Sequence, residues 1–236
     1  MQLFYNPNVN ADAKEIIFPK DESKHIVKVL RKREGDILNV TNGKGYIFKT
    51  EITLVTPQQC IAKVLEVETQ PEPDYYLHLA VAPTKMNDRY EWFLEKATEI
   101  GVHEITPIIC DHSERKVVKL QRFERVIQSA MKQSLHLSIP KLNEAVKASD
   151  FIKNNTAEHK FIAHCEEGKD KVSLKRSIQK GERSIILIGP EGDFSGNEIR
   201  LALENNWKAI SLGNSRLRTE TAAIVACHTV ALANED

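Results

Sequence analysis

The chain has 236 residues, and its 33 lysines and arginines balance 33 aspartates and glutamates. Zero net charge excludes a protein that coats nucleic acid over its whole surface, while leaving room for local basic patches. Such a length can bury a core without disulfides or metal, and the scattered Cys60, Cys110, Cys165 and Cys227 read as four buried thiols in a reducing compartment.

The N-terminal Met1-Gln2-Leu3-Phe4-Tyr5 lacks a charged stretch followed by an apolar one, so no secretory signal is read there. Asp21 reads as the cap of a short helix with Ile26, Val29 and Leu30 on one face. Ile37–Val40, Tyr46–Val55 and Gln59–Glu68 are strand candidates, the first two joined by the turn Asn42-Gly43-Lys44-Gly45. Together these predict a small β-rich domain over residues 1–70. The polar, proline-bearing Gln70-Pro71-Glu72-Pro73-Asp74 follows as a linker.

From residue 74 to 236 strands and helices alternate. Tyr76–Val81, Ile105–Cys110, Phe161–His164, Ile185–Ile188 and Ala209–Leu212 are apolar strand candidates. Arg89–Ile100 is helical, with Trp92, Phe93, Ala97 and Ile100 at core spacing and Gly101 as its left-handed stop. Leu120–Leu137 is a long helix, and further helices begin near Ser173, Ser195 and Thr219. This alternation predicts a parallel sheet covered on both faces. The longest apolar run, around Ile185–Ile188, is too short to cross a bilayer, so a cytoplasmic protein with no membrane partner is expected. The eight histidines form no His-Glu-x-x-His pattern, and His159 and His164 fall on opposite faces of their strand, so no metal is expected.

Parallel sheets bind ligands at the carboxyl ends of their strands. Three strand ends stand out: His164-Cys165-Glu166-Glu167-Gly168, Gly189-Pro190-Glu191-Gly192-Asp193-Phe194-Ser195, and Gly213-Asn214-Ser215-Arg216-Leu217-Arg218-Thr219-Glu220. Ser195 and Glu198 form a capping box that fixes the helix start after the second. Gly189 and Gly192 allow backbone conformations and close approach that a Cβ would prevent. Neither Gly-x-Gly-x-x-Gly nor Gly-Lys-Ser/Thr is present, and Glu191 with Asp193 would repel a polyphosphate and suit a cationic ligand. Arg216 and Arg218 beside a helix start oppose the helix dipole. They read either as partners of Glu220 and the acidic loop or as an anion site. Two basic clusters, Lys24–Arg33 and Arg115–Arg125, read as solvated helix faces or phosphate contacts.

Leu187-Ile188-Gly189-Pro190-Glu191-Gly192 with Phe194-Ser195, and Leu212-Gly213-Asn214-Ser215-Arg216-Leu217-Arg218-Thr219-Glu220-Thr221-Ala222, closely resemble the C-terminal signature of the RsmE family. These are 16S rRNA uridine-N3 methyltransferases of the SPOUT (α/β-knot) superfamily. Lys85, Asp88–Arg89, Lys96–Ala97, Glu99 and Gly101 are similar to a second family block. Met131–Gln133 with Pro140 resembles a third, and His25, Val29–Arg31 and Gly35–Asp36 a fourth. Asp193, His136 and Gln2 depart from the family's usual glycine, arginine and arginine.

The resemblance implies an α/β fold: an N-terminal PUA-like β-barrel that helps hold RNA, and a C-terminal trefoil-knotted domain with a parallel sheet. It implies a homodimer that methylates N3 of one uridine of 16S rRNA, that at position 1498, in the small ribosomal subunit, using S-adenosyl-L-methionine. The cofactor loops carried over contain His164, Cys165, Glu166, Gly189, Pro190, Glu191, Gly192, Leu212, Gly213, Ser215 and Leu217. Arg218 would stabilise charge on the base, oriented by Glu220, while Arg31, Lys85, Arg89, Arg115, Lys116, Gln133 and Arg216 would hold RNA. The rival readings are a SPOUT enzyme acting on tRNA or a ribose 2′-hydroxyl, and a non-catalytic RNA-binding assembly factor.

Overall fold

The computed structural model describes residues 2–166 and 171–235, so Glu167 and Gly168 of the first strand-end motif lie outside the described residues. The chain divides into two compact units, Met1–Glu72 with Met131–Ile139, and Pro73–Ala130 with Pro140–Asp236.

In the first unit, β1 (Leu3–Tyr5), β2 (Glu15–Phe18), β3 (Ile37–Thr41), β4 (Tyr46–Val55) and β5 (Cys60–Thr69) form a curled, PUA-like sheet in the order β1-β3-β4-β5-β2. All its pairs are antiparallel except β1 with β3. Its core gathers Phe4, Phe18, Ile26, Leu38, Val40 and Phe48. The short β1 and β2 were missed from sequence because three or four residues carry too little alternation to register.

Between β2 and β3 lies α1 (Lys20–Lys24), capped by Pro19 rather than Asp21, which sits inside its first turn. The chain then widens into a π-helical turn, His25–Val29, where the Leu30 amide bonds the His25 carbonyl at 3.1 Å. A five-residue hydrogen-bond step rotates the following side chains off the 3.6-residue register. Ile26 is therefore fully buried while Val29 is 65% exposed, against the expected shared face.

In the second unit, β6 (Tyr76–Val81), α2 (Asn87–Ile100) and β7 (Glu104–Ile109) follow in order, then α3 (Leu120–Ser134), whose residues from Met131 on belong to the first unit. Next come the two-residue strands β8 (Lys141–Leu142) and β9 (Val146–Lys147), then α4 (Ala148–Asn154), β10 (His159–Ala163), β11 (Val172–Ser173) and α5 (Leu174–Ser177). The chain finishes with β12 (Arg183–Ile188), α6 (Gly196–Glu204), β13 (Lys208–Ser211) and α7 (Thr219–Ala233). All pairs in this sheet are parallel, in the order β11-β13-β10-β12-β6-β7-β8, with β9 also on β7. Both faces are apolar and covered, as continuous hydrophobic strands require.

Several expectations need correction here. Trp92 is 43% exposed, while Tyr90 and Leu94 fill the core with Phe93 and Ala97, because the buried stripe of α2 falls one side of the assumed one. Gly101 does cap this helix in the left-handed region, at φ 103°. Helix α3 stops at Ser134, not Leu137, since Leu135 turns to φ 61°. Cys165 is exposed, unlike the other three thiols, because it follows rather than belongs to β10. His164 likewise lies beyond the strand, not within it.

A polar network ties the amino ends of the central strands together. Glu104 accepts hydrogen bonds from Asn143 Nδ2 and Tyr76 OH, both 2.6 Å, and from Lys141 Nζ at 2.9 Å. Burial would raise its pKa, but these three donors outweigh burial and hold the carboxyl down at about 2. A folded-state pKa below the unfolded one means that this contribution is full above about pH 4.5 and is lost as pH falls toward 2. In acid titrations of thermal stability, Glu104→Gln is expected to start less stable at neutral pH and to lose less between pH 4.5 and 2. Parallel curves for variant and wild type would show that the network does not titrate this way.

Candidate active site

The three motif-bearing strand ends come together because β13, β10 and β12 are adjacent in the sheet. The chain leaves β10 to reach β12 on one side of it and β13 on the other, so β10 marks a switch in strand order. A crevice forms outside the carboxyl ends at such a switch.

Two adjoining cavities occupy it. The larger, about 600 Å³, is lined by His164, Cys165, Glu166, Leu212, Gly213, Ser215, Arg216 and Leu217, among others. The smaller, about 270 Å³, is lined by Gly189, Pro190, Glu191, Arg218 and Thr219. Ala163, Cys165, Asp193, Arg216, Leu217 and Ala222 line both and form the wall between them. The structure thus brings together ten of the eleven residues expected in the cofactor loops. The eleventh, Gly192, is not among the residues lining either cavity, and a Cβ there would sit 3.1 Å from His112 Cβ.

The β12 loop is built by close approach. A Cβ on Gly189 would lie 2.9 Å from Phe194 Cδ2 and 3.2 Å from the Phe194 backbone nitrogen. Neither Gly189 nor Gly192 has positive φ, however; the left-handed residue is Asp193, at φ 63°. Aspartate tolerates that region better than most side chains. The capping box of Ser195 and Glu198 is present in full.

The loop is latched by four other segments of the chain. Thr219 Oγ1 donates to the Gly189 carbonyl at 3.0 Å. The Cys165 amide donates to Asp193 Oδ2 at 2.8 Å, and the Lys85 amide to Glu191 Oε1 at 3.0 Å. His112 Nδ1 lies 3.1 and 3.2 Å from the Gly192 and Asp193 carbonyls, so it carries the proton and donates. His112 and Thr219 were not singled out from sequence. No motif marks the first, and the second was visible only as the start of α7.

Arg218 is the N-cap residue of α7 and is exposed. No ion pair joins it to Glu220 among the described residues, which corrects the expected orientation of one by the other. Glu220 lies in the first turn of α7, 7% exposed, with Oε2 buried and lacking a hydrogen-bond partner among the described residues. The helix's positive end accounts for a carboxylate there without a guanidinium.

The residues expected to hold RNA are divided between the units. Arg31, at φ 54°, and Gln133 lie in the first and are exposed. Lys85, Arg89, Arg115, Lys116 and Arg216 lie in the second. Arg115 is partly committed within the protein: Nε and Nη2 donate to the Thr84 and Lys85 carbonyls at 3.1 and 2.6 Å. Lys85 pairs with Glu114 at 2.9 Å across the surface. Among the described residues no cluster of histidine, cysteine and carboxylate groups could hold a metal.

The chain matches the model of an RNA methyltransferase domain over residues 70–231 and that of an RNA methyltransferase PUA domain over residues 18–65. It is 30% identical over 224 residues to Ribosomal RNA small subunit methyltransferase E of Rickettsia conorii, covering 94% of this chain and 91% of that protein. The chain belongs to this methyltransferase family. Its fold is that of the family's solved members. A probable rRNA-methyltransferase from Porphyromonas gingivalis matches with TM-score 0.90 and 39% identity over 98% of this chain and 99% of that one. Ribosomal RNA small subunit methyltransferase E from Neisseria gonorrhoeae, solved bound to S-adenosyl methionine, matches with TM-score 0.82 and 27% identity over 96% and 95%. In the family's terms, the paired cavities lie within the segment matched by the catalytic domain model.

Proposed function

We propose that this enzyme transfers the methyl group of S-adenosyl-L-methionine to N3 of one uridine of 16S rRNA, the family's position 1498, in the small ribosomal subunit. The observation that carries this reading is the pair of adjoining cavities at three adjacent strand ends, with a carboxylate and a guanidinium in their common wall. Their volumes suit a bent nucleoside ligand beside a single base. The residues fit such a donor: a Cβ on Gly213 would meet nothing within 4 Å, leaving backbone open to the larger cavity, and Leu212 and Leu217 offer apolar walls to a ring. The relative bound to S-adenosyl methionine supports the same assignment.

When bound, the sulfonium supplies an electrophilic methyl. The chain's own residues do the rest. Loops near His164–Glu166, Gly189–Gly192 and Leu212–Leu217 hold the donor. Uridine N3 is protonated at neutral pH, so its N–H must be lost, to water or to the RNA, as the N–C bond forms. The negative charge spreading onto O2 and O4 is met by Arg218, which lines the smaller cavity. Arg31, Lys85, Arg89, Lys116, Gln133 and Arg216 hold phosphate and sugar, with Arg115 contributing beyond its internal bonds. N3 lies on the pairing edge, so the uridine is unstacked before it enters.

We also assign a homodimer. Helix α7 buries one face within the unit, and its other face presents Leu232, 51% exposed, with Ile224 and Val225 half-covered beside an exposed His228. A second copy of this chain would cover it.

The decisive experiment incubates the protein with labelled donor and small ribosomal subunits from a strain lacking the enzyme, then maps the modified nucleoside by mass spectrometry. Label on N3 of a single uridine is expected. Label in a ribose, label only in tRNA, or no label would each overturn the reading.

A further inference from the structure

Resting on that reading of the donor, we infer that Asp193 is a specificity-determining residue whose carboxylate selects the cationic sulfonium donor over its neutral thioether product. The argument begins with the shape of the site. Sulfur is the atom that joins the adenosyl and aminocarboxypropyl arms of the donor. With the donor in the larger cavity and the base in the smaller, the sulfur that carries the transferred methyl stands at the wall the cavities share. Of the six described residues that line both cavities, Asp193 and Arg216 are the charged ones, and Asp193 is the negative one.

The carboxylate is fixed there, not swinging in solvent. The Asp193 amide donates to the Pro190 carbonyl at 2.9 Å, closing the turn. Its carbonyl accepts from His112, and its Oδ2 accepts from the Cys165 amide. Asp193 lines both cavities, so the latched carboxylate borders the space a ligand would occupy. At φ 63° a glycine would sit without strain, so the side chain can be removed without straining the turn. Oδ2 also ties the β12 loop to the β10 end, so one residue both joins two donor loops and sets the charge between them.

Methyl transfer removes the positive charge: the S–CH₃ bond breaks with its electrons returning to sulfur, and a neutral thioether remains. A fixed carboxylate nearby then holds the product less tightly than the donor, which favours product release over product inhibition.

Calorimetric titration of the full chain with S-adenosylmethionine and with S-adenosylhomocysteine tests this. Asp193→Asn keeps an oxygen for the Cys165 amide but removes the charge. Its preference for donor over product is expected to fall about fivefold, the scale of one charge interaction in a partly solvated site, with product affinity within twofold of wild type. Asp193→Gly removes the latch as well while relieving the backbone. It should show the same lost preference, weaker binding of both ligands, and a melting temperature no lower than wild type. An unchanged donor-to-product ratio in Asp193→Asn, whether both affinities hold or fall together, overturns the inference alone. A wild-type protein that binds neither ligand overturns the donor assignment, and this inference with it.

Discussion

Arg218→Ala is expected to lose methyl transfer by about 10²- to 10³-fold while binding the donor within a few-fold of wild type. The two readouts separate because Arg218 lines only the smaller cavity, whereas most of the donor-loop residues line the larger. Stability gives a second separation. A guanidinium at the N-cap of α7 opposes the helix dipole, so its removal should leave the melting temperature unchanged or slightly raised. An inactive variant that melts at wild-type temperature and binds donor normally therefore assigns a role in the reaction itself. Arg218→Lys should recover part of the rate, since an ammonium restores the charge but not the planar two-pronged geometry. Wild-type turnover in Arg218→Ala would sink the assignment. Glu220→Gln is a useful companion. With no ion pair between the two side chains, its effect should add to that of Arg218→Ala and not duplicate it.

Much of the fold was legible because its signals are local. The apolar run of β6 was read with its observed boundaries, Tyr76–Val81, and Gly101 was read as the end of α2. The Ser195–Glu198 capping box was complete in the sequence and is complete in the structure. What failed were features set by tertiary context. Strands β8, β9 and β11 have two residues each, too few for any periodicity to appear, and exist because a neighbouring strand pairs with them. The π-helical turn at His25–Val29 misplaced Val29, since helical phase is read on the assumption of 3.6 residues per turn.

The site divides in the same way. Its glycines and arginines were visible as types at strand ends, and the sheet order then brought ten donor-loop residues to two cavities. Gly192 was read as allowing unusual dihedrals or close approach; the structure uses the close approach, to His112, while Asp193 takes the left-handed turn. That distinction depends on what lies across from each Cα. A stretch of one-dimensional sequence does not carry it.

The largest expected loss of donor binding comes from Gly189→Ala. The added methyl would fall 2.9 and 3.0 Å from two ring carbons of Phe194 and 3.2 Å from its backbone nitrogen. The ring cannot swing clear: Phe194 is 3% exposed and packs in a core with Ala82, Ile108, Leu187 and Trp207. The loop must move instead, at a cost of about 1–3 kcal/mol for overpacking. Such movement pulls on the Thr219 Oγ1 bond to the Gly189 carbonyl, which joins two of the three donor loops. Donor affinity is expected to fall by more than about tenfold, with a lower melting temperature, because about 1.4 kcal/mol already corresponds to a factor of ten. Gly213→Ala offers the contrast. Nothing lies within 4 Å of its added methyl, yet its φ of 133° is one that side chains rarely adopt. Strain there should weaken donor binding with little change in melting temperature, since Gly213 is exposed and its loop lies outside the core. Replacing Phe194 by leucine in the Gly189→Ala background should restore part of the affinity, because it removes the ring carbons that the methyl meets. Failure of that rescue, with donor binding still lost, would place the defect in the backbone contact with Phe194 N. Wild-type donor affinity in Gly189→Ala would show that the close approach does not shape the site.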